Sequence, residues 1–225
     1  MNYFDQTNSL ISSLGEIDLL INLIISNETT SIEDNTNDNM RSILLKSSIV
    51  ILVSKFQVFI EDLLKDIKYK INNSNVDFRC SDYLRVLSLK KQVEALNLNK
   101  KLENPTTYNV DLITNLSSGI NILHNHCDSE KFMQENICFN TSYKLGKTGV
   151  NELKELFKQF EGKNDIFENS TVDINIMNAI LNTRHTIVHK DSITGITKEQ
   201  VISYKTYIIE LSKFIDAYLF SFINA

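Results

Sequence analysis

The chain is short of the residues that interrupt regular structure. Its 225 residues include one proline, six glycines and no tryptophan. Because proline removes a backbone N–H and glycine weakens a helix, their scarcity favours long, uninterrupted helices. A hydrophobic share of 42% is enough for a sizeable core, and this length fits one domain, with or without an appended segment. The composition therefore predicts a single all-α domain over residues 1–225.

Cysteine and positive charge are also scarce. Three cysteines, an odd number, do not describe a disulfide framework. The net charge of −5 argues against a broad basic coat for nucleic acid, although it leaves room for a small local basic site. Residues 1–15 lack the basic region of a signal peptide, and the apolar run at 49–53 is too short to span a bilayer. We therefore expect a cytoplasmic protein with no membrane partner.

Two long helices are predicted from apolar residues at helical spacing. One covers residues 40–71, where spacings of three and four alternate and make one continuous stripe. The other opens at Thr197 and Gln200, which have the spacing of a capping box, and keeps one apolar face as far as Phe222. A further helix at residues 5–26 precedes a polar, acidic segment at 27–39, which we predict to be a flexible loop. Shorter helices are predicted at residues 82–98, 110–123, 129–137, 151–160 and 172–188, with a loop at 141–149.

The predicted helix at 172–188 ends in a cluster of groups suited to phosphate chemistry. Arg184 and His185 are adjacent, and His189 follows four residues after His185. An arginine keeps its charge, whereas a histidine exchanges protons near neutral pH. Cleavage of RNA needs a base for the 2′-hydroxyl, an acid for the leaving oxygen and a fixed positive charge at the phosphate. The cluster is compatible with that chemistry, but this spacing also occurs by chance, so its surroundings have to decide.

Arg184 occupies an unusual place on this helix. At about 100° per residue it falls in the middle of an apolar arc that includes Leu181 and Ile187. A charged side chain on a core-facing arc is costly unless it is paired. We therefore expect Arg184 to reach into a cleft, towards a carboxylate or a ligand phosphate. The alternative is that it passes along the edge of the core to an acidic partner.

The two histidines lie on a different side of the helix from Arg184. His185 and His189 are four residues apart and share a polar flank with Asn178 and Asn182, more than 100° from Arg184 on a straight helix. Arg184 and His189 therefore do not converge within one regular helix. Either the helix ends before His189, or the site is completed across a dimer, for which two-fold symmetry is the commonest arrangement.

This arrangement resembles the HEPN family, and most of all its RiboL-PSP-HEPN branch. The signature of that branch is an arginine, a polar residue and a histidine four to six residues after the arginine, which Arg184, His185 and His189 match. Residues 58–64 resemble the early helix of the family, with Glu61 at its acidic position, and residues 151–160 resemble the short helix before the motif helix. The resemblance covers residues 42–225, except that 72–147 matches poorly and is predicted to be a helical insertion. The sequence also departs from many relatives, which carry asparagine or aspartate at His185 and glycine at Lys190.

The resemblance implies a fold and an activity. The expected fold is an all-α, HEPN-like bundle with two long helices and a motif helix. The expected activity is metal-independent RNA cleavage by a homodimer, with no cofactor and no metal, in a toxin paired with an antitoxin or in a phage-defence system. His189 would be the general base or acid, Arg184 would hold the phosphate and His185 would assist. Glu61, as a partner of Arg184, and Asn182 would support them.

A second function from a different class stays open. Some HEPN proteins have lost activity, and the chain could be a non-catalytic helical module that binds RNA or a partner protein. The acidic net charge favours this alternative, whereas the intact Arg184, His185 and His189 favour the enzyme.

Two other patterns carry little weight. His124, His126, Cys127 and Cys138 have no common zinc-site spacing, and Gly146-Lys147-Thr148 lacks the first glycine and the strand of a phosphate-binding loop.

Overall fold

The computed structural model of the chain describes residues 4–29, 35–73, 82–98, 117, 120–121, 137–144, 149–161, 166–168, 170–190 and 195–223. Within these ranges the regular elements are all helices, so the predicted all-α fold is confirmed. In chain order the helices are α1 (Asp5–Ser13), α2 (Gly15–Thr29), α3 (Asn35–Asn73), α4 (Asp82–Leu98), α5 (Gly149–Glu161), α6 (Ile174–Lys190) and α7 (Lys198–Ile223).

The longest helix, α3, is the centre of the bundle. It packs against α1, α2, α6 and α7. Seven of its buried side chains follow the predicted spacing of three and four residues, which keeps one stripe facing the neighbouring helices. This stripe comprises Leu45, Ile49, Leu52, Phe56, Phe59, Leu63 and Ile67. The second long helix, α7, packs on α3 and on the motif helix α6, so the prediction of two long helices is confirmed.

The carboxyl-terminal parts of α3 and α7 meet at Phe4. The ring of Phe4 lies 4.3 Å from Nζ of Lys70 in α3, and its centroid is 6.1 Å from that of Phe220 in α7. The first turn of α2 contacts both long helices further from these ends, because it supplies one acidic residue to each. The two ion pairs are Lys55–Glu16 and Lys205–Asp18. The long helices therefore run parallel, with α1 and α2 alongside them.

The predicted helix at residues 5–26 was wrong as a single element. It divides at Leu14, where α1 ends and α2 begins. The N–H of Leu14 donates to the carbonyl of Leu10, while its own carbonyl accepts from Ile17 three residues on rather than four. Gly15 follows directly, and glycine has a low intrinsic preference for helix. The apolar pattern continues across this tight turn, which is why periodicity alone did not reveal it.

The predicted acidic loop at 27–39 was too long at both ends. Helix α2 continues to Thr29 and α3 begins at Asn35, while residues 30–34 lie outside the described ranges. The carboxylate of Asp38 is in the first turn of α3, where the partial positive charge of the helix end favours an acid. Polar composition here marks the start of a helix as much as it marks a loop.

The beginning of α7 follows the sequence prediction. The N–H of Gln200 donates to Oγ1 of Thr197 at 3.2 Å, which is half of the predicted capping box. The motif helix also lies close to its predicted place, since α6 covers Ile174–Lys190 where residues 172–188 were predicted. Its last turn extends past His189 to Lys190, so His189 lies within the helix.

Residues 72–147 contribute buried side chains to the core, among them Leu84, Ile137, Phe139 and Tyr143. The predicted helix at 129–137 was wrong at its last residue, because Ile137 begins an irregular segment, 137–144, that lies along α3. Two amides of α3 hold this segment, with Nδ2 of Asn72 donating to the carbonyl of Ile137 at 3.3 Å and Nε2 of Gln57 donating to that of Tyr143 at 2.8 Å. Residues 129–136 and most of 110–123 lie outside the described ranges. An insertion at 72–147 stays a prediction.

Two stretches reach the length and hydropathy that a membrane span requires, Asp5–Ile25 and Asp38–Asn73. They belong to α1, α2 and α3, whose apolar stripes form the core of this bundle. A buried core helix and a membrane span share these properties, so composition does not distinguish them. The absence of a membrane partner stays a prediction.

Candidate functional site

The motif helix α6 places Arg184 at the edge of the core. Met177, Ile180 and Leu181 are buried on its inner face, which packs on α3. Arg184 lies on the same face one turn further on and is half-buried. Its Nε is fully covered and has no hydrogen-bond partner. The expected position on the apolar arc is therefore confirmed, and part of the guanidinium is left without a protein acceptor.

Glu61 does not pair with Arg184 in the described part of the chain. Its Oε1 accepts the N–H of Tyr143 at 3.1 Å, so this carboxylate helps to hold the 137–144 segment on α3. Helix geometry explains the separation. Ile187, one turn after Arg184, lines the same groove as Ile51 of α3, and Glu61 lies about 15 Å further along α3. The expected Glu61–Arg184 contact does not form here, and a supporting role for Glu61 in the site stays a prediction.

The two histidines form a pair on the outer flank of α6. The ring centroids of His185 and His189 are 4.4 Å apart, with 47° between the ring planes. His185 is half-buried and His189 is exposed. Asn182 and Asn178 are exposed on the same flank, about one and two turns before His185. The shared polar flank predicted from the spacing is confirmed.

The motif helix continues through His189 to Lys190. One of the two explanations for the separation of Arg184 and His189, a helix that ends before His189, was therefore wrong. The two residues lie about 140° apart around the axis of α6, because five residues at 100° each amount to 500°. Within one chain the arginine faces the core edge while His189 faces outward. Completion of the site by a second copy is the alternative that stays open.

The hydroxyls of two threonines in the motif helix donate hydrogen bonds to backbone carbonyls of the same helix. The hydroxyl of Thr183 donates to the carbonyl of Ala179 at 2.8 Å, and that of Thr186 donates to the carbonyl of Asn182 at 2.9 Å. Such bonds to the preceding turn are common for threonine within a helix. The hydroxyls are thereby engaged, and the groups of α6 best suited to acid–base chemistry are the two imidazoles.

A groove of about 730 Å³ lies beside the carboxyl-terminal end of α6. The motif helix contributes Ile187, one turn after Arg184, and the amino-terminal half of α3 forms the other wall. This groove was not predicted from the sequence. A signal existed in Ile43, which lies off the core stripe of α3 and is 62% exposed. The α3 residues that line it are Asn39, Ser42, Ile43, Lys46, Ser47, Val50 and Ile51.

A comparison with known protein families finds the same family that the residues of the motif helix resemble. The model of the RiboL-PSP-HEPN family matches residues 11–220. This chain belongs to the RiboL-PSP-HEPN family. The match starts before residue 42, where the resemblance seen in the sequence began. No curated protein and no solved structure matches the chain.

Because the chain belongs to the RiboL-PSP-HEPN family, its function is that of an RNA-related nuclease or module. Its described residues contain no group of three or more histidine, cysteine or acidic side chains that could enclose a metal ion. The zinc pattern set aside above falls mostly outside the described ranges. Of its members only Cys138 is described, and its N–H donates to Oγ of Ser88 at 2.9 Å.

Proposed function

We propose that this HEPN protein is a metal-independent RNA endonuclease whose site is built from Arg184 and His189 in a homodimer. The observation that carries the proposal is the covered, unpartnered Nε of Arg184 on the helix that also bears the histidine pair. Leaving a buried donor unsatisfied costs about 1–3 kcal/mol. A phosphate oxygen that accepted from this guanidinium would recover that energy, and the planar fork of arginine suits phosphate.

The chemistry follows from the residue types. The 2′-hydroxyl gives its proton to one imidazole and its oxygen attacks the phosphorus. The bond from phosphorus to the 5′-oxygen breaks as that oxygen receives a proton from a protonated imidazole, which leaves a 2′,3′-cyclic phosphate and a 5′-hydroxyl. His189 is the general base or acid in this scheme, Arg184 stabilises the charge on the phosphate, and His185 orients or assists its neighbour. Asn182, on the same flank, supports substrate binding.

A homodimer would overcome the separation of Arg184 and His189 on α6. Since Arg184 and His189 of one chain face directions about 140° apart, a single chain does not bring them to one phosphate. In a two-fold dimer, the His189 of a second copy can approach the arginine of the first, and the reverse contact forms by symmetry. RNA is the substrate of this composite site.

The setting proposed for this activity is a toxin held by an antitoxin protein, or a phage-defence system, in the cytoplasm. A free endonuclease would damage its own cell, so a regulating partner is expected. The alternative, a helical module that binds RNA or a partner protein without cleaving, is favoured by the net charge of −5.

The experiment that tests the proposal incubates purified protein with a defined tRNA set and with total RNA, in EDTA. Wild type should cleave and leave 2′,3′-cyclic phosphate ends, whereas His189→Ala should lose about 10²–10⁴-fold in rate, the usual contribution of a general acid or base. His124→Ala is the matched control and should cleave like wild type. Circular dichroism should show equal helix content in all three. Full activity in His189→Ala would refute the assignment, and RNA binding without cleavage by wild type would establish the module instead.

Arg184 is tested in the same assay. Arg184→Ala should lose about 10²–10³-fold in rate, as expected when a group that stabilises developing charge is removed. Arg184→Lys keeps the charge but loses the planar fork, so its loss should be smaller. Equal rates for wild type and Arg184→Ala would exclude the proposed contact with phosphate.

A further inference from the structure

We propose that His185 and His189 form a two-histidine chelate for Zn²⁺ that switches the site off. The rings lie 4.4 Å apart on one flank of α6, and the His189 side is open to solvent. Imidazole is the commonest protein ligand for such metals. Two histidines four residues apart on a helix present their nitrogens to the same point in space. The chelate stands on this geometry, and its effect on cleavage rests on the proposed function.

The ring positions suit one tetrahedral ion. With Zn–N distances near 2.0–2.1 Å, two coordinating nitrogens lie about 3.4 Å apart. Rings with centroids 4.4 Å apart and 47° between their planes can meet this requirement by rotation of the side chains. The α6 backbone stays in place. His189 is exposed, so no packed neighbour has to be displaced from its ring.

With only two protein ligands, the ion would regulate the site and would not be needed to build the fold. Structural zinc sites have four protein ligands. Among the described residues no third histidine, cysteine or acid completes a group around this pair. Its flank neighbours Asn178 and Asn182 offer only neutral amides, so water fills the remaining positions. Such a site binds reversibly and is sensitive to the concentration of free zinc.

Binding would block the chemistry directly. A nitrogen that coordinates zinc has committed the lone pair with which it would accept a proton. His189 bound in this way cannot act as a general base, and it has no proton on that nitrogen to give as an acid. Zinc is therefore an inhibitor of this site, and the reaction itself needs no metal.

Calorimetry tests the chelate independently of cleavage. The full chain is stripped with EDTA, exchanged into chelator-free buffer and titrated with ZnSO₄. Affinity should fall at least tenfold in His185→Ala and in His189→Ala. The chain has four histidines, so His124→Ala/His126→Ala is a matched control that removes the other two, and it should bind like wild type. Unchanged affinity in His185→Ala/His189→Ala, or loss only in the control, would overturn the site.

Cleavage tests the switch. Zn²⁺ should inhibit wild type, Mg²⁺ at the same concentration should not, and EDTA should restore the rate. In His185→Ala, the zinc concentration for half-inhibition, measured against the zinc-free rate of that variant, should rise at least tenfold. A cleavage rate that is unchanged at saturating Zn²⁺ would overturn the switch. A wild type that never cleaves would refute the proposed function and with it the switch, whereas calorimetry would still decide the chelate, so the two failures are distinguishable.

Discussion

Asp216 in α7 accepts a hydrogen bond from the hydroxyl of Thr7 in α1, although 209 residues separate them in the chain. The same carboxylate oxygen accepts the N–H of Phe4 at 2.9 Å. Both Thr7 and Asp216 are buried. The beginning of the chain is thus fixed to its last helix by a buried carboxylate, and this anchor places α1 against the two long helices.

Thr7→Val should destabilise the fold through this anchor. Valine keeps the shape but removes the donor, and a hydrogen bond to a charged group is worth about 1.5–3 kcal/mol. We expect a loss of about that size in the free energy of unfolding, measured with urea. Thr206→Val is the matched control, because the hydroxyl of Thr206 only donates to Ile202 within its own helix, on the exposed side. Equal stability of Thr7→Val and Thr206→Val would show that the anchor contributes nothing.

The charge of Asp216 should also make stability depend on pH. Burial raises the pKa of this carboxyl, while the hydrogen bonds from Thr7 and Phe4 lower it by less. The folded chain therefore holds its proton more tightly than the unfolded chain, whose aspartates titrate near pH 3.9. The stability that Asp216 contributes is therefore greatest below the pKa of the unfolded chain. It falls as the pH rises through the higher pKa of the folded chain.

Asp216→Asn isolates this effect. Its amide oxygen can still accept from Thr7, but it carries no charge to bury. Urea unfolding of both proteins between about pH 3 and pH 7 should show wild type losing stability relative to the variant as the pH rises. A difference that stays constant across the range, or wild type gaining on the variant, would mean that the pKa of Asp216 is not raised in the folded state.

The sequence was sufficient for the features that depend on local spacing. The alternation of apolar residues from Leu45 to Ile67 predicted the buried stripe of α3. The wheel of α6 placed Arg184 at the core edge and His185 beside His189. The capping spacing of Thr197 predicted the start of α7. In each case the cause lies within a few turns of one helix, so the pattern carries the information.

Features that depend on distant contacts could not be predicted in this way. The family resemblance places Glu61 at an acidic position of the early helix, which made it the expected partner of Arg184. Its actual partner is the backbone of Tyr143, 82 residues away and without a side-chain signal. The anchor between Thr7 and Asp216 is of the same kind. The break at Leu14 was hidden for another reason, since the apolar spacing continues through it.

Glu61→Ala tests the role that the structure gives this carboxylate. The N–H of Tyr143 would lose its acceptor, so we expect a loss of about 1–3 kcal/mol in the free energy of unfolding. Asp62→Ala is the matched control, because Asp62 makes only an exposed ion pair with Lys65 and such pairs contribute about 0–1 kcal/mol. The double swap Glu61→Arg with Arg184→Glu should not recover stability. Recovery would restore the pairing of Glu61 with Arg184 that the structure lacks.

Mixing two inactive variants tests the composite site. Arg184→Ala and His189→Ala are each expected to be inactive as homodimers. If the site joins Arg184 of one chain to His189 of the other, a heterodimer has one site with both residues intact and one with neither. After random exchange half of the dimers are mixed and each has one of two sites, so activity should return to about one quarter of wild type.

The measurement is cleavage of the same tRNA set after the two variants are unfolded together and refolded. The control is refolding each variant alone, which should stay inactive. Activity that does not return, although subunit exchange is verified by differently tagged chains, would mean that Arg184 and His189 of the same chain act together. The angle of about 140° between them on α6 would then require a bend or unwinding of the last turn when RNA binds. Return of activity would place the two residues on opposite sides of a shared interface, as the unbroken helix through Lys190 favours.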